Sequence, residues 1–167
     1  MSQLTHYNTK FNPKEFPIIL VCDNVSNAAN IGSLFRIADA FGIEKLILCG
    51  ENISLGRKMS KTSRATEKNV NFEIHSSATS IVKNYKKEGY KIISLEITEN
   101  SKAIHLCNFS NHKPIVLLVG DENFGISQDL LSISDKTIHI NMFGKNSSMN
   151  VVQATNIALY EITKQFL

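Results

Sequence analysis

Residues 17–22 (PIILVC) and 114–119 (PIVLLV) are uninterrupted apolar runs, and each ends abruptly in a polar corner. A run this short, with no polar residue alternating through it, has no face to show to water. Both runs are therefore expected to be strands covered above and below, as in a parallel sheet with helices on both faces. That constraint orders the rest of the chain.

After the first run, Ile31, Leu34, Phe35, Ala38 and Phe41 follow helical spacing, and Gly42 supplies the stop. Residues 45–49 and 71–75 read as the second and third strands, with a short helix around residues 60–67 between them. Ser76 or Ser77 can cap a helix bearing Ala78, Ile81, Val82 and Tyr85, ended by Gly89. Residues 90–97 are a fourth strand, 114–119 the fifth, 127–132 a short helix, 137–142 the sixth strand and 150–166 the last helix. Residues 98–112 are the least patterned stretch. The alternation predicts the α/β class with a mostly parallel six-stranded sheet flanked by helices. At 167 residues and 43% apolar, the chain has the size and core of one domain, expected over residues 17–167 behind a polar arm, 1–16.

Several function classes lose support at once. No apolar run approaches the roughly 18 residues of a membrane helix, and the polar N-terminus does not read as a signal peptide. A cytoplasmic protein is expected. Cys22, Cys49 and Cys107 are odd in number and far apart, and read as reduced packing residues. His6, His75, His105, His112 and His139 show no metal spacing, so no metal is expected. No G-x-G-x-x-G follows the first strand, and neither a P-loop nor a G-x-S-x-G elbow is present.

Net charge is +3, and residues 57–68 (RKMSKTSRATEK) hold five bases and one acid, +4, leaving 3 − 4 = −1 for the rest. The basicity is local. Arg57, Lys58, Lys61 and Arg64, among Ser and Thr, suit phosphate oxygens, although a solvated surface loop has the same composition.

The polar corners after the apolar strands share a chemistry of Asn, Ser, Gly and acids, and in an open parallel sheet such corners lie together where ligands bind. Their residues also carry a resemblance. N-x-x-N-x-x-N-I-G-S-L-F-R-x-A-D-A-F-G (24–42), L-V-G-D-E-N-F-G-I-S (118–127) and I-N-M-F-G-x-x-S-S-M-N-V (140–151) look like motifs one, two and three of the SpoU/TrmH-type RNA 2′-O-ribose methyltransferases of the SPOUT superfamily. Order and spacing match over roughly residues 17–165.

The resemblance implies a deep C-terminal trefoil knot, an S-adenosylmethionine pocket built from the knot loops, and a homodimer with an RNA site across its interface. General topology argues against knots, so the pattern of strands alone does not give one. Arg36 matches the family's catalytic arginine, either stabilising developing alkoxide or binding a neighbouring phosphate while acting as base; electrostatic and phosphate positioning is the favoured reading. That positioning fits a guanidinium that stays protonated near neutrality. Asn30 orients Arg36 or the RNA, or is a helix N-cap. Glu122 holds Arg36 or the substrate, or is a solvated turn acid.

Ser148 and Asn150 match positions at the cofactor or catalytic centre, and Asn150 serves equally as the N-cap of the last helix. Gly120, Ile140 and Met149 match cofactor-contacting positions, and Leu95 and Glu96 border them at the end of strand four. The match departs at Asn141, where the family usually has Pro, at Val152, which replaces a small polar residue, and at Arg64-Ala65-Thr66-Glu67, which stands where a GAE-like element is expected. The implied activity is RNA 2′-O-methylation of tRNA or rRNA. A non-catalytic RNA-binding SPOUT-like protein is the alternative, and an unrelated flavodoxin-like or Rossmann-like enzyme a third.

Overall fold

The computed structural model describes residues 3–4, 8–111 and 114–167. Residues 1, 2, 5–7, 112 and 113, His6 and His112 among them, lie outside the described residues. The elements in chain order are β1 (Phe16–Asp23), α1 (Ala28–Ala40), β2 (Ile43–Cys49), α2 (Arg57–Ser63), β3 (Phe72–His75), α3 (Ala78–Lys87) and β4 (Lys91–Leu95). They continue with β5 (Lys102–Ala103), β6 (Ile115–Gly120), α4 (Gln128–Ile133), β7 (Lys136–His139) and α5 (Val151–Lys164). Short 3-10 turns sit at Thr66–Lys68 and Ile104–Leu106.

The strands form one sheet in the order β3-β2-β1-β6-β4-β7-β5, and every pair is parallel. The sheet has seven strands, not six. β5 is the addition: two residues long, it pairs Lys102 with Ile138 and Ala103 with His139, and a pair of residues is too short to carry any period. Two strands also end earlier than the sequence pattern predicts. β4 stops at Leu95, because the Glu96 side chain turns to accept the Ile97 and Ile126 N–H groups. β7 stops at His139, and beyond it Ile140 and Met142 leave the sheet to line a cavity.

The apolar runs do what their composition requires. In β1, Ile18, Leu20 and Cys22 face one core with Leu34, Phe35, Leu159 and Ile162 of α1 and α5. Ile19 and Val21 face a second core with Val82 of α3 and Leu130 of α4. β6 divides likewise, Leu117 to the first core and Leu118 to the second. Each such side chain, at 0% exposure, contributes about 1.5–3 kcal/mol. Because all the strands are parallel, the carboxyl ends of β1, β4, β6 and β7 open on a single edge. Cys22, Cys49 and Cys107 are free and buried, and burial pushes the Cys49 thiol up to about 12.

Candidate active site

Three chain corners meet at that edge. The first belongs to α1, whose N-cap is Asn27: its side-chain oxygen accepts from the Ala29 and Asn30 N–H groups at 3.0 and 3.3 Å. Asn30 is therefore not the cap. It stands in the first helical turn with its side chain free to reach outward, and its Nδ2 donates a very short hydrogen bond to Glu122 Oε1.

Glu122 lies on the second corner, a turn that closes tightly after β6. Asp121 Oδ1 accepts from Asn123 and Phe124 N–H at 2.8 and 3.3 Å, and Gly125 N–H bonds Asp121 O at 2.8 Å. The turn folds straight back over Gly120. A Cβ there would lie 2.2 Å from the Gly125 carbonyl carbon and 2.4 Å from Ile126 N. Gly120 thus admits its own loop, a reason for glycine distinct from approach to a ligand. Glu96 fastens the same loop from the side, accepting Ile126 N–H at 3.1 Å.

Asn150 completes the cluster from the third corner. Its Oδ1 caps α5 through Val152 N–H at 2.9 Å, while its Nδ2 donates to Glu122 Oε1 at 3.2 Å and Asn30 Oδ1 at 3.3 Å. One end of the Asn150 amide caps α5 and the other joins the cluster. Glu122 takes both amides on Oε1, and its Oε2 has no hydrogen-bond donor among the described residues. Glu122 makes no ion pair with Arg36 among the described residues, so its partners are the two asparagines.

Beside the cluster lies a cavity of about 450 Å³. Leu95, Glu96, Gly120, Glu122, Ile140, Ser148 and Met149, all singled out in the sequence, line it. So do residues that the sequence did not mark: Ile97, Asp121, Phe124, His139 and Met142. His139 and Met142 sat inside the predicted sixth strand, where alternation assigns them only a face.

Arg36 does not line this cavity. It lies six residues beyond Asn30 on α1, roughly 9 Å along the axis and about 240° around it. It is exposed and unpaired among the described residues. Arg57, Lys58, Lys61 and Arg64 are exposed as well, and none makes an ion pair among the described residues.

The basic helix α2 begins at Arg57 rather than near residue 60 and is pressed onto α1 at Gly32, where a Cβ would lie 2.5 Å from Met59 O and 2.9 Å from Ser63 N. It ends in Arg64 and Ala65, both left-handed at φ 53° and 69°. The 3-10 turn beyond is tied back by Glu67, which accepts a very short hydrogen bond from buried Ser63. That bond holds the Glu67 carboxyl below its usual range.

Together these features define a parallel α/β protein with a loop-edge cavity large enough for a small-molecule cofactor and a surface amide–carboxylate cluster at its mouth. The model of the SpoU rRNA Methylase family matches residues 17–160, and the chain belongs to that family. It is similar to the tRNA (guanosine(18)-2′-O)-methyltransferase of Aquifex aeolicus, 30% identical over 148 residues, 89% of this chain and 69% of the relative. The crystal structure of the A. aeolicus TrmH/SpoU tRNA modifying enzyme superposes with a TM-score of 0.79 at 29% identity, covering 89% of this chain and 75% of that one. The SpoU methyltransferase AviRb of Streptomyces viridochromogenes, solved in complex with AdoMet, gives 0.76 at 25% identity, covering 89% and 57%. Among the described residues no helix is long and apolar enough to cross a membrane, and no group of three or more His, Cys, Asp or Glu could hold a metal ion.

Proposed function

We propose that the chain is an S-adenosylmethionine-dependent RNA 2′-O-ribose methyltransferase acting on tRNA or rRNA. The observation that carries this reading is the meeting of Asn30, Glu122 and Asn150, from corners up to 120 residues apart, at the rim of one cavity. The cavity's donor set fits the cofactor. Leu95, Ile97, Ile140 and Met149 offer apolar walls to a flat base, Glu96 offers acceptors to sugar hydroxyls, and the carboxylates of Asp121 and Glu122 complement a cation. When bound, S-adenosylmethionine supplies a methyl group on a sulfonium centre.

The chain's own residues then have separable tasks. Gly120, Ile140, Ser148 and Met149, with Leu95 and Glu96, hold the donor. The side-chain amides of Asn30 and Asn150 fix the Glu122 carboxylate, leaving Oε2 to accept a hydrogen bond from the incoming ribose 2′-hydroxyl and so orient its oxygen. Arg36, exposed and unpaired among the described residues, engages an RNA phosphate beside the target, and the proton that the hydroxyl loses passes to Glu122 Oε2. Arg57, Lys58, Lys61 and Arg64 extend the phosphate track along α2.

The same reading includes a single domain over residues 17–167 behind the arm 1–16, a homodimer and a cytoplasmic setting. It also includes a knotted C-terminus. Supporting the knot, β7 is inserted between β4 and β5 although it follows both in the chain, and α5 packs back on α1, β4 and β6.

Calorimetric titration with S-adenosylmethionine and mass mapping of ribose methylation in RNA from cells with and without the protein test the reading. Binding, and a 2′-O-methyl lost with the protein, are expected. RNA binding without cofactor binding would instead identify a non-catalytic RNA-binding relative. Arg36→Ala is expected to abolish transfer while cofactor affinity stays within several-fold, and retained turnover would remove Arg36 from the chemistry.

A further inference from the structure

We infer that Ser101, His139 and Asn141 form a hydrogen-bonded latch across the far wall of the cavity, and that this latch sets the affinity for the cofactor. The inference rests on the cofactor reading above. The wall is shared with an adjoining cavity of about 250 Å³, and Ile97, His139, Ile140 and Met142 line both. It is built from two strand exits, residues 95–98 after β4 and 139–142 after β7.

The short β5 brings the exits together. By pairing Ala103 with His139, it sets Ser101 against the imidazole. Ser101 first closes its own loop: Oγ accepts Thr98 N–H at 3.0 Å and lies 2.7 Å from Thr98 O. That turn is the fixed abutment. His139 Nε2–H donates to Asn141 Oδ1 at 3.0 Å, and in that neutral tautomer Nδ1 accepts from the Ser101 hydroxyl at 2.9 Å. A ring engaged at both nitrogens cannot swing about its own axis without breaking a bond, so Asn141 is tied to the β4 exit through it.

What lies beyond gives the tie its consequence. From Met142 to Met149 no hydrogen bond to another described residue holds the chain, so Asn141 is the last such anchor before Asn150 caps α5. Ile140, Met142, Ser148 and Met149, a large part of the cavity lining, sit on this span. Pre-ordering one end of it removes part of the ordering cost that a ligand would otherwise meet on binding. Asn141 stands where the resemblance implies proline, a residue that stiffens a turn by fixing φ. Here a side-chain bond supplies stiffness from outside the backbone.

The test is calorimetric titration of the full chain with S-adenosylmethionine. Asn141→Ala and His139→Ala are each expected to weaken binding by about 3- to 10-fold, the range of one net hydrogen bond. Because both break the same chain of bonds, the double variant should be no weaker than the worse single. Asn141→Asp keeps an oxygen opposite Nε2 and is expected to bind within about threefold of wild type. Ser101→Ala deletes a single oxygen and should reproduce the loss should His139→Ala not fold. Unchanged affinity in Asn141→Ala and Ser101→Ala, or losses that multiply in the double variant, would overturn the latch while leaving the cofactor reading intact. Absence of binding by the wild type would overturn both.

Discussion

Gly120→Ala adds one methyl group at the point where the Glu122 loop turns back on its own strand. The new Cβ would lie 2.2, 2.3 and 2.4 Å from Gly125 C, Gly125 O and Ile126 N, all backbone atoms that cannot rotate away. The loop must lift. Lifting it strains or breaks the 2.8 Å Gly125–Asp121 bond, the 2.8 Å Asn123–Asp121 bond and the 3.1 Å Ile126–Glu96 bond. At about 1 kcal/mol net each, the loss is about 3 kcal/mol. For a chain of this length that lowers Tm by about 6–12 °C. Glu122 rides on the loop, and displacing it by about 1 Å from Asn30 and Asn150 should cost about 100-fold in methyl transfer.

Thermal unfolding followed by circular dichroism, with methyl incorporation measured below the transition, reads both effects. Gly144→Ala is the internal control. It lies in the neighbouring site loop, where an added Cβ meets nothing within 4 Å, and should change stability by no more than about 0.5 kcal/mol. A Gly120→Ala protein that melts and methylates like wild type would refute the reasoning.

Ala65→Gly removes a left-handed alanine at φ 69° and should stabilise the chain by about 0.5–1 kcal/mol after the entropy of glycine is set against the relief; urea unfolding that shows a loss would contradict the strain. Charge reversal at Arg57, Lys58 and Lys61 should weaken RNA binding and flatten its salt dependence, and an unchanged salt slope would make α2 ordinary surface. At the β4–β7 join, burial pushes the Asp135 carboxyl up, but the Ile92 N–H and Lys86 outweigh it and hold it below the usual range. Its contribution is therefore full above the unfolded value near 3.9 and lost as pH falls through the lower folded value. Asp135→Asn should flatten that acid limb of a stability–pH profile, and an identical limb in both proteins would exclude the group.

Much of the fold was legible because its signals are long. The runs at 17–22 and 114–119 could only be doubly covered strands, and they stand beside each other as β1 and β6. What escaped was short or non-local. β5 has two residues and exists only because β7 presents an edge to it. The three asparagines at 24, 27 and 30 are chemically alike, and only the position of the first helical turn makes Asn27 the cap and releases Asn30.

The site shows the same division. The motifs named Gly120, Glu122, Ile140, Ser148 and Met149, which line the cavity, but not the partners of Glu122, because a partner is fixed by which corners the parallel sheet brings to one edge. Of the partners open to Glu122 in the sequence, Arg36 or substrate, helical geometry turns Arg36 away from Asn30's face, and within the chain the carboxylate is met by amides. That substitution matters chemically. A guanidinium pair would occupy Glu122 and neutralise it, whereas two neutral amides orient it, leave its negative charge at the cavity rim and keep one oxygen open. In the proposed mechanism Arg36, facing elsewhere on the same helix, keeps its positive charge for a phosphate, and the opposite charges that acid and base could have cancelled between themselves serve separately, one toward the sugar hydroxyl and one toward the RNA backbone.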